Sequence, residues 1–279
     1  MNTKIAFLAR RALALRRLTR QAVALRRLMF VLSITLTGSC IAESNIIAED
    51  DASDAAYGGG WDNSKNGGHG FSSWTLTAEG NDSERHSGLY IADVKTSADL
   101  NGIAKNDKAF GAFANGSGFE QAVGYRGFSK PLQVGDSFSF MMENGTFEKK
   151  FDKDDPTPGS IGLTLRTGNA NSSVADYNKD AVFEFGYYQG KTNYQIYDGS
   201  ENSDSGVPFV DSGVSVTVTI TGAGTYDLEI QTMFDKKVIK LPGRKLRNSS
   251  SIDSFAIFDR NGERYDSYFN QFQVAHQSK

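Results

Sequence analysis

The chain has a single cysteine, Cys40, only three histidines in 279 residues, and no aspartate or glutamate anywhere in its first 42 positions. One cysteine excludes a disulfide framework, so the fold has to stand on a core of its own. Histidines scattered at His69, His86 and His276, with no cysteine beside them, make no recognisable zinc ligand set. No apolar run reaches the roughly 20 residues that a membrane-spanning helix needs. The longest lies between Arg27 and Gly38. Also missing are a Gly-x-Ser-x-Gly nucleophile elbow, a Gly-x-x-x-x-Gly-Lys phosphate loop and a dinucleotide fingerprint behind a strand. Beyond residue 42 no stretch carries a sustained helical stripe, and the 29 glycines would weaken one wherever they fell.

The acid-free opening is itself a pattern. Lys4, Arg10, Arg11, Arg16, Arg17, Arg20, Arg26 and Arg27 precede the apolar segment from Leu28 to Leu36, and small residues follow from Gly38 to Ala42. This order predicts a signal peptide over residues 1–42 and a mature protein that starts near Glu43 and is secreted, periplasmic or held at the cell surface. An organelle transit peptide and a lipid anchor on Cys40 compete with that reading. In the lipoprotein comparison Thr37-Gly38-Ser39-Cys40 leaves Leu36 one place too far from the cysteine. Removing the leader takes eight of the 30 basic residues and none of the 33 acidic ones, so 22 face 33 and the formal charge falls to −11. Nucleic acid and anionic lipid are disfavoured as partners of such a surface. Simple solubility in an extracellular or periplasmic medium explains the acidity better than a specific cation-binding role does.

Residues 43–56 are acidic, small and aperiodic, and read as a flexible acidic linker. From Tyr57 to about residue 275, β-branched and aromatic runs alternate with Gly, Asn, Asp and Ser clusters. Strands are expected at Phe138 to Met142, Ile161 to Arg166, Ala181 to Tyr188, Asn193 to Tyr197, Val214 to Thr221, Thr225 to Thr232, Ser254 to Phe258 and Tyr268 to Val274. Val214, Val216, Val218 and Ile220 alternate with Ser215, Thr217 and Thr219, so one face is inward and the other wet. The economical architecture is all-β: a two-sheet antiparallel β-sandwich of the jelly-roll kind, one domain over residues 57–275. No internal period supports a propeller or solenoid.

Particular segments carry a resemblance. Tyr57-Gly58-Gly59-Gly60-Trp61, Asn66-Gly67-Gly68-His69-Gly70-Phe71-Ser72-Ser73-Trp74, Tyr125-Arg126-Gly127-Phe128 with Leu132-Gln133-Val134-Gly135-Asp136, and Tyr268-Phe269-Asn270-Gln271-Phe272 resemble secreted bacterial proteins with a concanavalin A-like or laminin-G-like jelly roll. Many of those carry a C-terminal sorting helix, and no such helix follows the last strand here. The resemblance implies the fold and leaves the chemistry open.

Three groups of residues are candidates for function. Trp61, His69 and Trp74, around Gly67, Gly68 and Gly70, could line a sugar subsite, an aromatic face stacking on a pyranose; equally, the tryptophans could plug the core and the glycines shape a tight loop. Glu184 and Tyr188 share one face of a strand, and Tyr194 returns beyond the turn at residues 189–192. With Arg126 they could bind or cut a polysaccharide on a concave sheet, or they could be cross-strand packing. The acidic spacing Asp176, Asp180, Glu184 is not the Glu-x-Asp-x-x-Glu of jelly-roll glucanases, nor does a Gln-x-His lyase triplet occur. Finally, Asp152, Asp154 and Asp155 put three carboxylates in one loop and are the candidates for Ca²⁺, in the absence of any EF-hand register. The basic run Lys236, Lys237, Lys240, Arg244, Lys245 and Arg247 reads as an exposed hairpin or a contact for acidic polysaccharide.

Three functional classes follow from these residues. The first is a non-catalytic extracytoplasmic module binding carbohydrate or cell-surface material. The second is a polysaccharide lyase or hydrolase, which requires Glu184, Tyr188, Arg126 or His69 to converge in one groove. The third is a structural surface protein without a ligand.

Overall fold

The computed structural model describes residues 44–80, 86–115, 119–147, 158–168, 180–262 and 265–277. The leader, residues 1–42, and the proposed calcium ligands Asp152, Asp154 and Asp155 lie outside the described residues. Fifteen strands are present: β1 (Ser44–Asp50), β2 (Thr75–Gly80), β3 (Ser87–Asp93), β4 (Lys108–Ala114), β5 (Glu120–Gly127), β6 (Asp136–Asn144), β7 (Ser160–Arg166), β8 (Ala181–Tyr188), β9 (Asn193–Tyr197), β10 (Asp204–Pro208), β11 (Val214–Gly222), β12 (Thr225–Thr232), β13 (Val238–Lys245), β14 (Ser254–Arg260) and β15 (Ser267–Gln277). A 3₁₀ turn at Ala55–Tyr57 interrupts them. No helix among the described residues is long and apolar enough to cross a membrane.

The strands form two antiparallel sheets, as the sequence leads one to expect. One runs β13-β12-β11-β6-β15-β4-β3, with β1 also pairing β15; the other runs β10-β9-β8-β7-β14-β5-β2. Between them lies an apolar core. On β11 the alternation is realised: Val214, Val216 and Val218 are fully buried and Ile220 nearly so, while Ser215, Thr217 and Thr219 are half-buried on the other side. Phe138 and Phe140 stand beside them on the neighbouring strand β6, and Leu163, Leu165, Phe183, Phe185, Phe255 and Ile257 of the other sheet share the same core. Burial of about 20–25 Å² of apolar surface is worth roughly 0.5 kcal/mol, so a core of this many aromatic rings replaces the absent disulfides.

Residues 43–56 are not a flexible linker. Ser44–Asp50 is strand β1, hydrogen-bonded to β15 from Gln277 to Phe272, and it contributes Ala48 and Asp50 to the interior. The sandwich therefore includes Ser44–Asp50, ahead of Tyr57. The physical reason lies downstream. Arg126 on β5 is fully buried, and its guanidinium bonds the Asp50 carboxylate, which also accepts the Tyr57 hydroxyl at 2.6 Å. A buried cation needs a buried anion, and the acidic segment supplies it.

The loop of glycines serves the same strand. Gly68 and Gly70 have φ of 64° and 78°, and a Cβ at Gly68 would stand 1.9 Å from the Glu49 carbonyl oxygen. Only glycine lets the His69 backbone exchange its two hydrogen bonds with Glu49, at 2.9 and 3.0 Å.

Candidate functional site

The residues expected to form a site are dispersed. Trp61 and Trp74 are 5% and 1% exposed; they meet edge to face at 5.0 Å and pack on Phe110. Their rings fill the core. Tyr194 also points inward, stacked on Phe185 at 5.4 Å. Arg126 is held in the interior by Asp50, by the Gly67 and Ser72 carbonyls and between Phe71 and Trp74, each ring 4.9 Å away. His69 stays on the surface beside Glu49, 4.0 Å off.

Glu184 and Tyr188 do share the outer face of the seven-stranded sheet, where the Tyr188 hydroxyl bonds the Glu184 carboxylate. Pairing places Tyr197 opposite Glu184, and Thr164 and Ala256 continue that row to Tyr125. Arg166 lies near by, over the Tyr125 ring at 5.4 Å. Sequence reasoning chose Arg126 and Tyr194 where the outer face holds Tyr125, Arg166 and Tyr197. Yet the centre of this face is closed: Thr164, Arg166, Tyr125, Ala256 and Phe258 are fully buried. Glu184, Tyr188, Arg126 and His69 do not converge in one groove, which is what the lyase or hydrolase reading required.

An open groove of about 470 Å³ lies elsewhere, on the outer face of the eight-stranded sheet, and sequence reasoning missed it. It is built from a reciprocal pairing of β3 with β4. Tyr90 stands opposite Gly111, and Phe113 opposite Gly88. A Cβ on Gly111 would come within 2.6 Å of the Tyr90 ring, and one on Gly88 within 2.8 Å of Phe113. Each ring thus lies across a glycine and turns its other face outward, with centroids 6.1 Å apart. Apart from Ala98 the rest of the lining is polar: Thr96, Ser97, Asp99, Asn115 and Asp266, with the Tyr268 ring as floor. Asp266 accepts the Tyr90 hydroxyl and, at 3.2 Å, the Asn115 amide.

Both phenols are held neutral. Burial, together with the Asp266 carboxylate, pushes Tyr268 up to about 12 and raises Tyr90 as well. They act as donors. The wall beside them, residues 94–107, is fixed by Glu143, a buried carboxylate that accepts the amides of Asn101, Gly102 and Ile103 at 2.6, 2.8 and 3.2 Å. Burial raises the Glu143 pKa and the three amides pull it back. Leu100 and Ile103 pack on Ala92, Ala109 and Tyr268 underneath. Tyr90 also borders a second hollow of about 580 Å³ at the open edge of β3, where Trp61, Tyr57, Ser53, Asp54 and Lys108 are found. Tyr90 thus borders both spaces.

Among the described residues no three His, Cys, Asp or Glu side chains gather to hold a metal ion. The basic run is partly consumed by structure: Arg244 bonds Asp198 at 2.8 Å, and Lys240 pairs with Glu229 at 2.8 Å.

No protein-family model matches the sequence and no curated protein does, so the resemblance to sorted exoproteins has no support from sequence. Among solved structures, the chain is similar to the carbohydrate recognition domain of Emp47p, with 11% identity over 82% of this chain and 100% of that one and a TM-score of 0.39. The exoplasmic/lumenal domain of VIP36 in its Ca²⁺/Man3GlcNAc-bound form gives 9% identity, 74% and 84% coverage and a TM-score of 0.39. A carbohydrate esterase, vb_24B_21 from the Shiga toxin-encoding bacteriophage phi24B, gives 10%, 73% and 90%, with 0.43. Likeness at this level says nothing of ligand or reaction; the two-sheet architecture stands on the strand pairing of the chain itself.

Proposed function

We propose that the domain is a non-catalytic module that works outside the cytoplasm and binds carbohydrate in the groove beside Tyr90 and Phe113. One observation carries the reading: two outward-turned rings on a rigid sheet lie within reach of the Asp266 carboxylate, the Asn115 amide and the Thr96 hydroxyl. A pyranose has an apolar face for the rings and hydroxyls for the polar groups, and few other small molecules need both at once. Secretion through the basic leader would bring the site to glycans of a cell surface or matrix.

The test is an array of neutral, acidic and sulfated polysaccharides, run with and without calcium, on the wild-type protein and on Phe113→Ala. Binding should appear for at least one glycan, and the variant should weaken it by roughly five- to tenfold or more with its β signal unchanged. Calcium dependence would assign the acidic loop a part. No binding and no sugar release from any glycan would overturn the reading and leave the structural surface protein in its place.

A further inference from the structure

We infer that the groove selects a sugar bearing a free ammonium group, an unacetylated amino sugar, over neutral and anionic ones; this rests on the carbohydrate reading above. The argument begins with where the charges of the molecule go. Several surface carboxylates elsewhere are paired with cations of the chain: Asp93 with Lys108 at 2.6 Å, Asp51 with Lys105 at 2.8 Å, Glu229 with Lys240 at 2.8 Å. Asp99 and Asp266 are not. Asp266 takes hydrogen bonds from Tyr90 and Asn115, both neutral donors, so its charge is oriented without being cancelled. The charge of Asp99 reaches into the same space, since it helps raise both Tyr268 and Glu143. Among the described residues lining the groove there is no Lys, Arg or His.

Two carboxylates without a cation stand beside the π-faces of Tyr90 and Phe113. That is the chemistry that recognises an alkylammonium group: the ring quadrupoles attract the cation, and the carboxylates take its hydrogen bonds. A neutral sugar gains only the stacking and the polar contacts. A uronate or sulfate would be repelled. Cation–π attraction at an exposed site and one surface ion pair together amount to about a tenfold preference for the amine.

Isothermal titration of the protein with a glucosamine oligomer, the matching N-acetylglucosamine oligomer and a neutral glucan of the same length decides the matter. The glucosamine oligomer should bind about tenfold more tightly than the acetylated one, and 1 M NaCl should remove most of that preference, since the Debye length falls to about 3 Å. Asp99→Asn should lower affinity for the glucosamine oligomer several-fold more than it lowers affinity for the acetylated oligomer. Equal affinity for the two amino-sugar oligomers, or tighter binding of the acetylated one or of the glucan, would overturn the inference and leave the carbohydrate reading intact. No binding of any of the three would overturn the inference, while the carbohydrate reading stands or falls with the glycan array.

Discussion

Asp50→Ala tests the part played by the N-terminal strand. In the native fold the Arg126 guanidinium and the Asp50 carboxylate are both completely buried and in direct contact. Arg126 keeps other partners: the Ser72 carbonyl at 2.8 Å, the Asn66 amide oxygen at 2.7 Å and the Gly67 carbonyl at 2.8 Å. All of these are neutral. Truncating Asp50 therefore strands a positive charge among Phe71, Trp74 and Tyr57, and removal of one partner of a buried pair costs about 3–5 kcal/mol. For a domain of this size each kcal/mol shifts Tm by roughly 2–4 °C, so the expected fall is about 6–20 °C in a reversible thermal melt. Urea titration of the same protein should show a lower midpoint with an unchanged slope. The double variant Asp50→Leu with Arg126→Met should recover part of the loss, because no charge is then left without a partner. If Asp50→Ala lowers stability by less than about 1 kcal/mol, β1 is an accessory of the sandwich and the ion pair does not hold it there.

Other perturbations follow from the same structure. Val216→Asp would place a carboxylate in the core and should prevent stable folding, whereas Thr217→Asp, half-buried opposite Glu229, should cost under about 1 kcal/mol; equal expression and stability of the two would show the alternation misplaced. Asp259 is fully buried, and burial holds its carboxyl well above the ordinary value of 3.8 against the pull of Ser267 and the Gly262 amide. Because the folded state keeps this proton longer than the unfolded chain, the group favours folding below about pH 3.8 and turns unfavourable as pH rises toward its folded value. Asp259→Asn should thus be more stable than wild type at pH 7 and lose that advantage on acidification; an advantage that does not change with pH would be a packing effect. Intact-mass measurement of protein from its host should find the chain starting near Glu43, and a mass that includes Met1 to Ala42 would refute the signal peptide.

What could be read from sequence depended on how many faces of a strand meet water. β11 and β12 have one wet face, and Val214 to Ile220 showed their parity plainly. Strands β5, β7, β8 and β14 are buried on both faces, so polar and apolar residues do not alternate along them. On such strands the side of Arg126 against Tyr125 was not legible. The anion for Arg126 hid in a stretch whose small acidic residues look like a linker, since nothing local reveals a partner 76 residues away. The groove was hidden for a different reason. Gly88, Tyr90, Gly111 and Phe113 make a platform only through the β3–β4 register, and Asp266 reaches Tyr90 across a separation of 176 residues. The one local trace is a glycine two residues from an aromatic in both segments, Gly88 with Tyr90 and Gly111 with Phe113.

A crystal structure of the protein with its tightest-binding oligosaccharide would settle where the ligand sits. The groove predicts a sugar ring against Phe113 and Tyr90, hydrogen-bonded to Asp266 or Asn115. A sugar seated instead over Glu184, Tyr188 and Tyr197 on the seven-stranded sheet would contradict it and return the outer face of that sheet to the centre of the function.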